Sequence, residues 1–236
     1  MARTRAATYD AQREFILETA AAAFAELGFP SASMNDIARR CGVSKGLLYH
    51  YYTSKERLLF DVTEQYTRRL VALVEEAERR VRDPAKRLPE LIRLFLEEYQ
   101  TSQARHMVLL HDLRFLPDAE RRLVVENQRR VIDSFAKAIR AAHGLPGNLP
   151  IVKPVTMMLF GMMNWTFTWL KPDTNEATPP SHSGPLPRGE RGTRRTLRAG
   201  TISYAEYADL VAEVFAAGVA ALARKRLRRT AVAAGS

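Results

Sequence analysis

Three times in this chain a hydroxyl residue stands three positions ahead of an acid, with an apolar pattern of helical spacing behind it. The pairs are Ser33 and Asp36, Thr53 and Glu56, and Ser203 and Glu206. At that spacing the hydroxyl accepts from a first-turn N–H while the acid reaches back, so each pair predicts a helix start. Ahead of the first pair, Phe15, Ile16, Thr19, Ala20, Ala23, Phe24 and Leu27 recur with the helical period, and Gly28 is placed to stop them. Behind the second pair run Leu58, Leu59, Val62, Tyr66, Leu70, Val74, Ala77 and Val81, up to Asp83-Pro84. Periodicity and punctuation by Pro117, Gly144 and Pro150 predict further helices at about 85–103, 105–115, 118–143, 151–170 and 203–227. No run has the period of two that a half-buried strand requires. The fold class expected is all-α, with about nine helices. A small three-helix domain over 1–55 precedes a larger helical domain over 56–236.

The 46% hydrophobic content is enough for a buried core, and the single cysteine, Cys41, excludes an internal disulfide or a cysteine zinc site. The opening MARTRAATYDAQREF has no apolar core of the kind a signal peptide needs. The uncharged run Pro154–Leu170 falls short of the ~20 apolar residues of a bilayer span, so no membrane partner and a cytoplasmic location are expected. A net charge of +10 points to a polyanionic partner. Much of it sits in the tail Arg224–Arg229 and in the stretch 171–201, so charge alone does not locate the contact. That stretch holds five Pro and four Gly with almost nothing to bury, and composition favours a disordered insertion over a lid. Residues 228–236 are expected to be a disordered tail.

The segment CGVSKGLLYHYYTSKERL, Cys41 to Leu58, holds the densest chemistry. On a wheel with Lys45 at zero and about 100° per residue, Tyr49 falls near 40°, Gly46 near 100° and His50 near 140°. Leu47, Leu48 and Tyr51 fall between about 200° and 300° by the same step. One arc thus carries a cation, a bare backbone position, a phenol and an imidazole, and the other is apolar. This suits the second helix of a helix-turn-helix, which enters the major groove while its flanks meet phosphates. Met34–Cys41 would cross the backbone, with Ile37 and Ala38 against Leu48. Ser33 is placed to donate to a phosphate and Lys55 to meet the backbone again.

DIARRCGVSKGLLYHYYTSKERLL, Asp36 to Leu59, closely resembles the signature of the TetR/AcrR family of bacterial repressors. The resemblance implies a homodimer, a double-stranded DNA operator, a ligand-binding helical domain and a bacterial, nucleoid-associated location. It implies phosphate or base contacts at Ser33, Ser44, Lys45, Gly46, Tyr49, His50 and Lys55. Tyr52 stands where phenylalanine is usual and would add a hydroxyl near phosphate. Leu47 stands where threonine is frequent, which leaves base readout there open.

In the second half, PVTMMLFGMMNWTFTWL is apolar around its whole circumference, as a dimer interface or a ligand pocket requires. The family plan pairs about 151–170 and 203–227 across a twofold axis. Trp165 and Trp169 lie four apart and share a face, with Met158 and Met162 continuing it, which core packing and a pocket lining explain equally well. Asn164 needs a partner if buried. Facing it, RHMVLLHDLRFLP brings His106, Leu110, His111, Arg114 and Phe115 toward the expected ligand region. GMMNWTFTWLKPD together with ISYAEYADL resembles a subgroup controlling fatty-acid, steroid or aromatic-acid catabolism, whose effectors are CoA thioesters. An acyl or aryl group would enter the Met/Trp lining, with Arg105, Arg114 and Lys171 near CoA phosphates. The expected function is therefore a ligand-responsive repressor released by an acyl- or aryl-CoA. The alternatives are an activator or effector-independent regulator and, from another class, a helical acyl-CoA-binding enzyme. The last needs a nucleophile–base or metal constellation, and the sequence offers none, His111-Asp112 lacking a third ligand. No catalytic residue, metal ligand or resident cofactor is expected.

Overall fold

The computed structural model describes residues 2–146, 149–170 and 202–234, with side chains from residue 9 to residue 225 within them. Its α-helices are α1 (Ala2–Leu27), α2 (Met34–Arg40), α3 (Lys45–Tyr51), α4 (Lys55–Arg80), α5 (Arg87–Thr101), α6 (Gln103–His111), α7 (Asp118–His143), α8 (Val152–Asn164) and α9 (Tyr204–Ala234). Short 3-10 turns cover Pro84–Lys86, Leu113–Phe115 and Trp165–Thr168, and the described residues contain no strand.

The head is α1, α2, α3 and the start of α4. Ile16, Ala20 and Phe24 of α1 meet Ile37 and Ala38 of α2, Leu48 of α3, and Leu58, Leu59 and Val62 of α4, all buried. Gly42 makes the tight turn between α2 and α3 at φ +64°, a left-handed backbone that favours glycine. Helix α4 then leaves the head and runs about 39 Å at 1.5 Å per residue. Beyond the head it is the centre of the larger domain, where Tyr66, Leu70 and Val74 are buried and the helix packs against α5, α6 and α7. Phe95, Phe135 and Phe160 form a chain of rings with centroids 4.9 Å apart at each step. The α4–α5 corner is closed by the buried Arg87, whose guanidinium donates to the carbonyls of Val81 and Arg82 and to Glu78.

Two of the three predicted starts are as read. Ser33 Oγ accepts from Asp36 N at 3.1 Å, and Ser203 and Glu206 bond reciprocally at 3.1 and 2.8 Å. The middle one shifts by a residue: the cap of α4 is Ser54, which accepts from Arg57 N at 3.1 Å, not Thr53. The helix expected at 151–170 ends at Asn164. The hydroxyls of Thr166 and Thr168 bond back to the carbonyls of Met163 and Trp165, competing with the helical ladder. The helix expected at 105–115 likewise ends at His111 and passes into a 3-10 turn. Helix α9 continues to Ala234, where a disordered tail was expected from 228; its alanines and arginines are strong helix formers. The expected insertion, 171–201, lies outside the described residues, as do 235 and 236.

The cap assignment is testable by urea denaturation. Ser54→Ala should lower the unfolding free energy by about 1 kcal/mol, and Thr53→Ala should leave it nearly unchanged.

Candidate nucleic-acid interface and effector cavity

Helix α3 exposes Lys45, Gly46, Leu47, Tyr49 and His50 and buries Leu48 in the head. Lys45 Nζ lies 5.7 Å from the centre of the Tyr49 ring. Tyr51 is half-buried and stacks on Tyr9 of α1 at 4.7 Å. Leu47, read as part of the apolar arc, is 42% exposed, at the edge of that arc and open to a partner. Ser44 Oγ accepts from Leu47 N at 3.1 Å and keeps its own proton for another acceptor.

Gly46 has an ordinary helical backbone, and a Cβ there would meet nothing closer than Ser44 Oγ at 4.0 Å. Glycine in a helix costs up to about 1 kcal/mol relative to alanine. Nothing inside the chain offsets that cost, so the bare position leaves room for something outside it.

Three residues expected on the DNA face are otherwise engaged. Tyr52 is the C-cap of α3 and only 2% exposed; its hydroxyl accepts from Arg13 Nε at 3.1 Å, which is also the guanidinium paired with Asp61. Burial pushes its phenol up to about 12, against a lowering by Arg13. The ring therefore packs in the core where phenylalanine would, and the hydroxyl is taken up inside the head. Lys55 Nζ donates to the carbonyls of Phe29, Pro30 and Ala32 at 2.7, 3.2 and 2.9 Å and sits 4.4 Å over the Phe29 ring. All three of its protons are used within the protein. The Ser33 hydroxyl donates to Asp36 at 2.6 Å, so its proton is committed as well.

In the larger domain α4 to α8 line a cavity of about 170 Å³ that opens to the surface beside Leu110 and Met157. Thr67 and Leu70, Phe95 and Tyr99, His106 with Leu109 and Leu110, Gln128 with Val131 and Ile132, and Met157 with Phe160 and Asn164 line it, each group from one helix in order. Of the residues expected to bind ligand, His106 and Leu110 are on this wall. Met158, Trp165 and Trp169 are 63, 65 and 48% exposed and, with Leu210, Val214 and Leu222 of α9, give α8 and α9 a set of exposed apolar side chains. These three were expected on the ligand lining; all are exposed, and from this segment it is Met157, Phe160 and Asn164 that line the cavity. Met162 is half-buried against the core. His111 is exposed, and Arg114 lies over the Phe115 ring at 4.8 Å. Phe115 stacks on Phe29 at 5.1 Å, in the seam between the head and the larger domain. Arg105 bonds Gln65 at 3.0 Å and pairs with Glu14 of α1, so it is not free for a phosphate. The cavity residues the sequence reading missed leave a faint signal: Phe95 and Tyr99 are four apart on α5, and Gln128 interrupts the apolar side of α7.

His106 is 4% exposed and stacked 3.9 Å from the Tyr99 ring. Its Nδ1 lies 3.2 Å from the Tyr66 hydroxyl. Burial lowers its pKa to about 4, opposed by the nearby Asn164 and aided by His111. Neither His106 Nε2 nor Asn164 Oδ1 makes a hydrogen bond of good geometry, but the two side chains are close enough to satisfy each other, since it is through a side-chain hydrogen bond that Asn164 opposes the lowering. Among the described residues no three acidic, histidine or cysteine side chains cluster as a metal site would need, and no helix is long and apolar enough to cross a membrane.

The chain has clear likenesses. A family model described as "Bacterial regulatory proteins, tetR family" matches residues 16–62, and one described as "Tetracyclin repressor-like, C-terminal domain" matches 81–176. A TetR-family transcriptional regulator from Bordetella parapertussis 12822 is 32% identical with a TM-score of 0.71, over 86% of this chain and 93% of that one. The HTH-type transcriptional regulator AcrR of Shigella flexneri is 26% identical, over 71% of this chain and 84% of its own length. The fold is also that of AibR in complex with isovaleryl coenzyme A and operator DNA, 22% identical with a TM-score of 0.66 over 87% of this chain and 98% of that one.

Two outcomes follow from the geometry. Lys55→Met keeps the stem and removes the three donors, and should lower the unfolding free energy by about 2 kcal/mol in urea denaturation. A histidine in the unfolded chain binds its proton near pH 6.5, whereas folded His106 holds one only near pH 4. Between those values the unfolded state is the more protonated, so stability falls as pH drops. His106→Gln should therefore remove about 2 kcal/mol of the stability difference between pH 7 and pH 5.

Proposed function

The chain belongs to the TetR family of transcriptional regulators, and from that premise we propose a ligand-responsive repressor that binds a palindromic operator as a homodimer in the bacterial cytoplasm. A small-molecule effector, an acyl- or aryl-CoA thioester of a catabolic pathway, releases it. The protein needs no resident cofactor and catalyses no reaction.

The observation that carries this reading is the α3 surface. Lys45, Tyr49 and His50 are exposed around Gly46, a glycine with no internal reason to be one. A phosphate backbone or base edge approaching closely supplies that reason. Two such helices, one per protomer, would enter successive major grooves about 34 Å apart. The exposed Met158, Trp165, Trp169, Leu210, Val214 and Leu222 support a second copy packed on α8 and α9, since apolar surface of that kind favours burial. The apolar cavity suits an acyl or aryl group, and AibR, of the same fold, was crystallised with isovaleryl coenzyme A. With Arg105 held by Glu14, the CoA phosphates would remain outside the cavity. Release requires little energy, because a 100-fold loss of operator affinity corresponds to about 2.8 kcal/mol of coupling.

Gel shift against the DNA upstream of the chain's own reading frame, with and without acyl-CoAs, tests this. Gly46→Ala should leave the melting temperature unchanged or slightly higher while weakening operator binding at least tenfold. Lys45→Ala should reduce the slope of log affinity against log salt by about one. A Gly46→Ala protein that shifts operator DNA as tightly as the parent would remove the main support for α3 as the recognition helix.

A further inference from the structure

The cavity wall contains no lysine, arginine, aspartate or glutamate among the described residues. Several of its polar atoms are already spent: the Thr67 hydroxyl on the carbonyls of Thr63 and Glu64, and His106 and Asn164 on each other. A charged group entering here would lose its water and find no counter-ion. Whatever charge an effector bears is therefore held outside the cavity.

The mouth gives onto a second opening. Ile132 and Met157 line the cavity and also a groove of about 490 Å³ between α7 and the start of α8. Along the groove Arg129, Asp133, Ala136 and Arg140 share one face of α7 with Ile132, since their spacings return to within about 60° of the start. From Arg129 to Arg140 that face runs about 16 Å at 1.5 Å per residue. Lys153 adds a third cation from the first turn of α8, where no side chain caps the helix and its dipole favours an anion. Asp133 is the one acid on the groove among the described residues. Arg57, Arg69, Arg80, Arg93 and Arg105 each have a carboxylate partner. Arg129, Arg140 and Lys153 have none among the described residues, although Asp133 is on the same groove.

We propose that the effector is held in two parts, its apolar end in the cavity and a phosphate-bearing end along the α7–α8 groove, on Arg129, Arg140 and Lys153. This rests on the cavity being the effector site. An acyl-CoA divides in this way, because its acyl group is apolar and the pantetheine arm carries the phosphates away from it. Guanidinium forks match phosphate oxygens two at a time, and Lys153 adds a point charge.

Isothermal titration of the full chain at low salt with octanoyl-CoA, octanoyl-pantetheine and CoA tests the division. Octanoyl-CoA should bind at least tenfold more tightly than octanoyl-pantetheine, which lacks the phosphates, and than CoA, which lacks the acyl chain. Arg129→Glu combined with Lys153→Glu, both at exposed positions, should erase the first margin and leave octanoyl-pantetheine binding unchanged. Arg114→Glu, an exposed arginine outside the groove, should leave the margin in place. Met157→Trp, at the junction, should weaken both acyl ligands. Equal binding of octanoyl-CoA and octanoyl-pantetheine, or a margin that survives the double reversal, would overturn the groove and leave the effector cavity standing. CoA binding as tightly as octanoyl-CoA, or acyl ligands indifferent to Met157→Trp, would overturn the two-part hold. If neither acyl ligand binds, the effector cavity itself falls, and the groove proposal with it.

Discussion

The turn between α1 and α2 aims three backbone carbonyls at one point, and the ammonium of Lys55 occupies that point. A charge held this close to the core is tolerable only when its protons have acceptors, and here each has one, at 2.7 to 3.2 Å. The position of α2, and of α3 behind it, depends on that turn. So does the contact with the larger domain, because Phe29 lies under the Lys55 ammonium and stacks on Phe115 across the seam. A residue that resembles a phosphate contact thereby has a structural part as well, and the head is seated on α4 and on the segment after α6 by a single cluster.

Helix α6 is the element both domains share. His106, Leu109 and Leu110 face the cavity, while Arg105 reaches the other way to Glu14 of α1 and Gln65 of α4. Its C-terminal end leads through the turn to Phe115 and Phe29. A ligand can change operator affinity only by favouring one arrangement of the head over another. Anything that shifts α6 acts on the head at two separated points, through an ion pair and through stacked rings. A second tie runs from Tyr52 at the end of α3 through Arg13 and Asp61 to Arg57, and from Arg57 3.6 Å to Glu120 of α7, the helix that carries Gln128 and Val131 on the cavity wall. Tyrosine at 52 is what admits α3 to that network; phenylalanine would fill the same space without the hydrogen bond.

Local rules were legible in the sequence, and long-range ones were not. Helix periods and stops such as Gly28 and Gly144 depend on neighbours in the chain and could be read directly. The α3 arc was readable for the same reason. The internal bonds of Lys55 were not readable, because its acceptors lie 23 to 26 positions away and are backbone atoms, which leave no mark in a sequence pattern. Trp165 and Trp169 were assigned to a pocket because periodicity reports that residues share a face, not which neighbour the face meets. The cavity draws on five helices, so its lining is a property of their packing. Asn164 was the exception: an amide inside an apolar run announced that it needed a partner.

Gly46 differs in physical character from the residues around it. A flexible residue within a helix bears a local cost, and no contact within the described residues offsets it. The rest of the head follows local and global rules together: the caps of α2 and α3 are filled, the Lys55 ammonium is satisfied, and the Tyr52 hydroxyl has a donor. Where neighbouring positions are consistent, the inconsistent one gains weight as evidence. The cost at Gly46 would be relieved by a partner from outside, a polyanion lying close to the backbone of α3. What α3 presents is therefore set by what it must meet, whereas the lining of the larger domain is set by how its own helices pack.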